Sequence, residues 1–382
     1  MSTTTVAVKP ELLRWARERA GLGVHDLTHR FPRLELWESS QAQPTLKQLE
    51  AFAKATFAPI GYLFLSQPPV ERVPIPDLRS FQGRGVANPS PNLLEMIYIC
   101  QQRQEWYRDY ARAVGEKPRT FIGSSHVGAP IEPVAESIRT ALGFSLQAQR
   151  AYPTWTEALR RFIEQADEAG ILVMCSGVVL NNNRRALDVG EFRGFAMSDP
   201  IAPLIFINGA DSKAAQMFTL AHELAHLWLG QSALTDADAS GPPSNVIEAW
   251  CNKVAAETLV PLVLLQREMR SRFVSGEVGR LARIFKVSTL VILRRLHDAG
   301  ALSRKELRAA YDAEVERLNN LPRGSGGNFY LTQSARVSKR LARALVESTL
   351  EGQTLYRDAF QMLGISKVET LHELGRSLGY SV

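Results

Sequence analysis

Apolar positions near the start of the chain recur at helical spacing in short blocks. Leu12, Leu13, Trp15 and Ala16 make one face, Leu27 and Phe31 a shorter second, and Leu46, Leu49, Phe52 and Ala53 a third after Pro44-Thr45. Short helices so close together predict a compact helical module over residues 1–66. The pattern then lapses. Pro68, Pro69, Pro74, Pro76, Pro89 and Pro91 crowd a stretch with no apolar period, which predicts a linker over 67–92. A long amphipathic helix is predicted over 93–114 and another over 131–142.

Beyond residue 154 the pattern alternates between helix and strand. A helix over Trp155–Ala169 stops at Gly170, and the apolar run Ile171–Met174 reads as a strand. Leu204–Ile207 is a second strand, framed by Pro203 and Asn208-Gly209. Asp211 or Ser212 then caps a helix running to Gly230. Helices follow over 246–258, 261–273, 277–285 and 289–298, with an exposed one over 303–318. Pro322–Gly327 (PRGSGG) is a joint into a last helical segment, 332–382. No repeat is visible. The expected fold class is α+β and predominantly helical: a module over 1–66, a linker, a domain over 93–300 with its core in 150–300, and a helical region over 301–382.

Composition narrows the field more than it directs it. The 382 residues are 45% apolar and 22% charged, which excludes wholesale disorder and low-complexity architectures. The densest apolar run, Gly170–Leu180, is far short of the roughly 18–20 residues of a spanning helix, so no membrane partner is expected. The opening MSTTTVAVKP offers no apolar signal region. Cys100, Cys175 and Cys251 are scattered with no CxxC pair, so they read as reduced thiols of a cytoplasmic protein.

The chemistry concentrates in His222-Glu223-Leu224-Ala225-His226, an H-E-x-x-H within a helix. Positions i and i+4 share a face, so both imidazoles can reach one metal ion, and Glu223 beside them can take a proton from water. With seven His and 39 acidic residues, H-[DE]-x-x-H is expected about 0.01 times by chance, so coincidence is a weak competitor. The competing account is a pair of histidines hydrogen-bonded inside a buried helix. Flanks as apolar as FTLA and LWLG make that costly unless something satisfies the polar groups. A third ligand must come from elsewhere. Glu248 and Glu257 lie nine residues apart on the next helix and face opposite sides, so only one can point at the metal. Cys251 shares a face with Glu248 and is a softer alternative, whereas Glu257 reads as a surface or structural carboxylate.

FTLAHELAH followed by IEAWCN and AAETLVP resembles the ImmA/IrrE family of gluzincin-type metallo-endopeptidases, over roughly residues 150–300. In that family the two His of the motif, and a Glu four residues before the Asn of the second helix, bind zinc. The resemblance therefore implies Zn2+ held by His222, His226 and Glu248, with Glu223 as general base, in a gluzincin-like domain with a small sheet. It also implies that the strand before the motif helix, Leu204–Asn208, pairs with extended substrate; the alternative is an ordinary sheet edge. Arg184, Arg185 and Arg193 are candidate transition-state donors, weighed against ordinary surface or salt-bridging roles.

The block ELLRWARERAGLGVHDLTHRF…LELWES…QPTLKQLEAFAKA resembles an Xre/Cro-type helix-turn-helix. It departs from the pattern where only PRLELW separates Phe31 from Glu38, which shortens the recognition helix. Residues 1–70 hold eight Lys/Arg and six acids, a small excess for gripping phosphates. The formal charge of +6 sits elsewhere: residues 266–310 carry eleven Lys/Arg against four acids. Within them GRLARIFKVSTLVILRRLHDAG reads as helix, turn and helix with Ser288 as N-cap, either closing the base of the domain or contacting DNA.

The expected function is a zinc-dependent cytoplasmic endopeptidase with a regulatory role, cleaving a partner protein such as a repressor or a toxin–antitoxin component. The alternative is a DNA-binding transcriptional regulator or antitoxin whose zinc is structural or sensory. Operator DNA would then meet residues 1–66 or 266–310, and a homodimer is a further partner compatible with the helical module. Glu223 favours the peptidase, because a structural zinc site has no use for a general base.

Overall fold

The computed structural model describes residues 5–76, 89–234, 245–270, 276–319 and 336–380. The joint at Pro322–Gly327, the start of the segment expected from 332 and much of the expected linker lie outside the described residues. Among the described residues the chain is α+β and mostly helical, with seventeen α-helices and one mixed four-stranded sheet. It divides into two units, residues 1–74 with 86–97, and residues 75–85 with 98–382.

In the first unit, α1 (Pro10–Arg19) begins with a proline where the missing N–H leaves no bond unmade. The short α2 (Val24–Thr28) and α3 (Leu34–Glu38) follow. Next, α4 (Leu46–Ala55) opens on a capping box: Gln48 N donates to Thr45 Oγ1, and Thr45 N donates to Gln48 Oε1. Leu12, Leu13, Leu34, Trp37, Leu49, Phe52 and Leu63 form the core. Leu46, expected on the apolar face, is 49% exposed at the first position of α4. Arg17 forks onto both carboxylate oxygens of Glu38 at 2.8 and 3.1 Å, pinning the end of α3 to α1.

α5 (Pro91–Ala113) starts in the first unit and continues in the second. There α6 (Ile131–Leu142), α7 (Leu146–Ala151) and α8 (Trp155–Glu168) lead to Gly170, whose left-handed backbone (φ +98°) turns the chain into the sheet. The strands are β1 (Leu172–Ser176), β2 (Gly194–Met197), β3 (Leu204–Asn208) and β4 (Ala233–Leu234), in the order β1-β3-β2-β4. β1 and β3 run parallel, Leu172 opposite Leu204; β2 lies antiparallel to β3, Gly194 opposite Ile207, and to β4, Phe195 opposite Leu234. β3 is paired on both sides and buried throughout, so it cannot take an extended substrate along its backbone; that expectation is corrected. Edge positions fall to β1 and β4, and Leu234 N on β4 donates to Pro76 O at 3.1 Å.

α9 (Lys213–Trp228) follows β3, and α10 (Val246–Leu259) packs against it within one core that includes Phe162, Ile205, Leu224, Val254, Phe285 and Ile292. α11 (Leu262–Glu268) ends before Met269, and residues 271–273 of the helix expected there lie outside the described residues. α12 (Glu277–Phe285) and α13 (Thr289–Asp298) are joined through Lys286 in a left-handed conformation (φ +53°), and Ser288 Oγ caps α13 by accepting from Val291 N. Much of their charge is engaged internally. Arg280 is bonded to Glu277 and Glu268 O, while buried Arg295 binds the Glu257 carboxylate, Val260 O and Asp298. α14 (Arg304–Asn319) comes next. The last three helices are α15 (Lys339–Leu350), α16 (Tyr356–Leu363) and α17 (Val368–Ser377). Asp167 at the end of α8 accepts from Ser338 Oγ at 2.6 Å and from Arg340 N at 2.7 Å, and buried Arg103 donates twice to Met362 O. Leu363 is core, whereas Tyr356 is 40% exposed.

Candidate metal centre

Ser212 starts α9 by accepting from Ala215 N, and from there the helix is buried nearly all round. Leu220, Ala221, Leu224, Ala225 and Leu227 leave no solvent face near the motif, so His222, Glu223 and His226 lie at 2% exposure or less. α10 opens when Asn245 Oδ1 accepts from Glu248 N at 2.8 Å. That cap fixes Glu248 in the first turn, where the positive end of the helix dipole favours a carboxylate. His222 Nε2 lies 3.1 Å from Glu248 Oε2, His226 Nε2 lies 3.2 Å from Glu248 Oε1, and the two Nε2 atoms are 3.1 Å apart.

The triangle has the dimensions of a metal site. Ligands about 2.0–2.1 Å from a tetrahedral ion stand about 3.3 Å from one another. Its polarity agrees. With both imidazoles neutral and protonated at Nδ1, three lone-pair donors converge with no hydrogen between them. Buried Glu248 Oε1 makes no hydrogen bond even though His226 Nε2 is in range. Such an arrangement is repulsive unless a cation or a proton occupies it. Burial pushes the Glu248 carboxyl up, but the facing imidazoles outweigh it and hold it well below the usual carboxylate range. Burial drives His222 down, and the carboxylates of Glu248 and Glu223 more than reverse this, leaving it raised; His226 is lowered, chiefly by burial.

Side chains behind the triangle orient it. Asn252 Oδ1 lies 3.1 Å from His222 Nδ1, and since an amide oxygen only accepts, Nδ1 carries the hydrogen and Nε2 keeps its lone pair for the triangle. Cys251 Sγ lies 3.6 Å from His226 Nδ1, on the ring edge away from the triangle. Glu223, fully buried, is backed by Gly194 of β2: a Cβ built on Gly194 would sit 3.1 Å from Glu223 Oε1, 2.8 Å from Phe206 O and 2.6 Å from Thr219 Cγ2.

His222, His226 and Glu248 are thus brought together, and among the described residues they are the one group of three such side chains whose ligand atoms converge. Glu257 points elsewhere and pairs with Arg295, a structural carboxylate. Cys251, the alternative third ligand, is set behind His226 instead. Arg193 is tied to Asp211 at 2.9 Å, Arg185 is buried and Arg184 is exposed on its loop. Sequence reasoning gave no role to Asn252 or Gly194. Asn252 stands four residues after Glu248, hence on the same face, which was a usable signal; a glycine in an unrecognised strand was not.

Residues 166–297, about a third of the chain, match the peptidase family described as IrrE N-terminal-like domain, and residues 337–377 match a domain of unknown function. The first match takes in the whole sheet, α9 and α10, and the second all of α15 to α17. Over the first stretch the chain is similar to metallopeptidases of the IrrE and ImmA type. No curated protein matches it.

Proposed function

We propose that this protein is a zinc-dependent endopeptidase that cuts a partner protein in the cytoplasm, a regulatory protein such as a repressor or a toxin–antitoxin component. The carrying observation is that, among the described residues, three protein donors and not four converge beside a buried glutamate. Structural zinc sites use four protein ligands, whereas hydrolytic ones keep a position open. Bound zinc would supply Lewis acidity toward a peptide carbonyl and toward water. His222, His226 and Glu248 would hold it, with Asn252 fixing the His222 tautomer. Glu223 takes a proton from the attacking water on its carboxylate and passes it to the leaving amine. The apolar residues around α9 keep bulk water from competing for that proton.

The first unit, on this reading, recruits the partner and does not read DNA bases. Its five-residue α3 buries Leu34 and Trp37, commits Glu38 to Arg17, and leaves Glu35 and Leu36 outward, a poor surface for a phosphate backbone.

The test is metal analysis combined with Glu223→Gln. The variant should bind one zinc per chain, as the parent does, and lose cleavage of the partner. Cleavage surviving in Glu223→Gln, or zinc retained in a variant lacking both His222 and His226, would overturn the reading.

A further inference from the structure

The two imidazoles of the triangle have chemically different supports. Behind His222 stands an amide oxygen, which only accepts, so that ring is held with its hydrogen on Nδ1 whatever fills the site. Behind His226 stands the Cys251 thiol, buried at 0% exposure, which can either accept from Nδ1 or donate to it. A thiol carries both a hydrogen and lone pairs, so at 3.6 Å from Nδ1 both options are open to it.

The difference matters because His226 Nε2 faces two acceptors, His222 Nε2 at 3.1 Å and Glu248 Oε1 at 3.2 Å. When no ion is bound and the rings are neutral, the crowded lone pairs are relieved if His226 carries its hydrogen on Nε2. The thiol then donates to Nδ1. When an ion occupies the triangle, the hydrogen must move to Nδ1 and the thiol turns to accept it. Resting on the metal centre proposed above, we infer that Cys251 is a positioning residue whose two-way thiol lets His226 change tautomer between the metal-free and metal-loaded states, and thereby sets zinc affinity. A carbonyl or carboxylate in its place would lock the ring in the loaded form. An apolar side chain would support neither form.

The experiment uses the full chain labelled with 15N-histidine, without metal and with one equivalent of zinc, as the parent and as Cys251→Ala and Cys251→Val. Valine keeps most of the buried volume but cannot hydrogen-bond, so it separates packing from the bond. At a pH high enough to leave both rings neutral, the parent's His226 should be the Nε2–H tautomer without metal and the Nδ1–H tautomer with zinc. Both variants should lose the metal-free preference and bind zinc about tenfold more weakly in competition with a chromophoric chelator, the low end of the usual effect of such partners. Zinc affinity within twofold of the parent in both variants, or restored by valine alone, overturns the inference and leaves the metal centre standing. A parent that binds no zinc overturns the metal centre, and this inference with it.

Discussion

Gly194→Ala is the sharpest probe of how the sheet holds the proposed general base. Gly194 adopts ordinary strand geometry, so the substitution meets no backbone penalty and its cost is contact alone. The added methyl would fall 2.8 Å from Phe206 O and 2.6 Å from Thr219 Cγ2, several tenths of an ångström inside normal contact on both sides. Neither neighbour is a flexible chain end: one is the backbone of β3, the other a β-branched side chain within α9. Relief requires β2 to move away from α9, at the overpacking cost of about 1–3 kcal/mol. For a unit of this size that lowers the melting temperature by roughly 2–10 °C. Glu223 Oε1, 3.1 Å from the same methyl, must give by a few tenths of an ångström, so turnover should fall by less than the roughly hundredfold that a displacement near 1 Å can cost. Zinc content should stay at the parent level, since all three ligands belong to α9 and α10. The assay is scanning calorimetry of the zinc-loaded protein beside cleavage of the partner. A variant that melts within 1 °C of the parent and cleaves at the parent rate would refute the packing argument.

Zinc affinity should fall with acidity in a definite window. The metal-free His222 has a raised pKa, so protons compete for it once the pH drops through a value above the ordinary histidine range, while the depressed Glu248 does not compete there. Chelator competition between pH 8 and 6 should show that loss, and a flat profile would count against His222 as a ligand. Glu257→Ala should destabilise the protein by about 1–3 kcal/mol, because buried Arg295 keeps Asp298 and Val260 O but loses its buried carboxylate, with zinc affinity unchanged. A drop in affinity there would mean that the assignment of the two α10 glutamates is wrong. Arg280→Ala should leave any binding of duplex DNA and its dependence on salt unchanged, because that guanidinium is spent on Glu277 and Glu268 O inside the fold. A log–log slope corresponding to six or more phosphates would favour the regulator reading.

What could be read from the chain beforehand was whatever repeats over a few residues. The helical period and the caps placed α9 closely, and the i, i+4 histidines needed nothing beyond local geometry. β2 stayed hidden because GFAM is four residues with no alternation; it is a strand only because β3 and β4 pair with it on either side. The same non-local pairing explains why β3 was given an edge role. Its sequence reports burial, and burial is common to central and edge strands, so nothing in Leu204–Asn208 says how many neighbours it has. The N-terminal faces were legible as helices but not in their outermost positions: Leu46 fits the apolar period, yet it occupies the first position of α4, where the turn that would cover it does not exist.

The candidate site divides along the same line. Glu248 was set apart from Glu257 by the latter's place near the helix end and by a resemblance, because their opposite faces say that one alone can point at the metal without saying which. The fold decides through a cap. Asn245 starts α10 three residues before Glu248 and thereby sets the rotation of the whole helix. Glu248, Cys251 and Asn252 then face α9 together, and Glu257 is left to Arg295. Asn245 thus acts on the site through the backbone of Glu248. Rotating a helix by one residue turns its faces by about 100°, which would carry Glu248, Cys251 and Asn252 away from α9 together. Ligand identity and the unequal support of the two histidines therefore follow from one helix boundary. Among local signals, that boundary is the one a sequence shows least clearly.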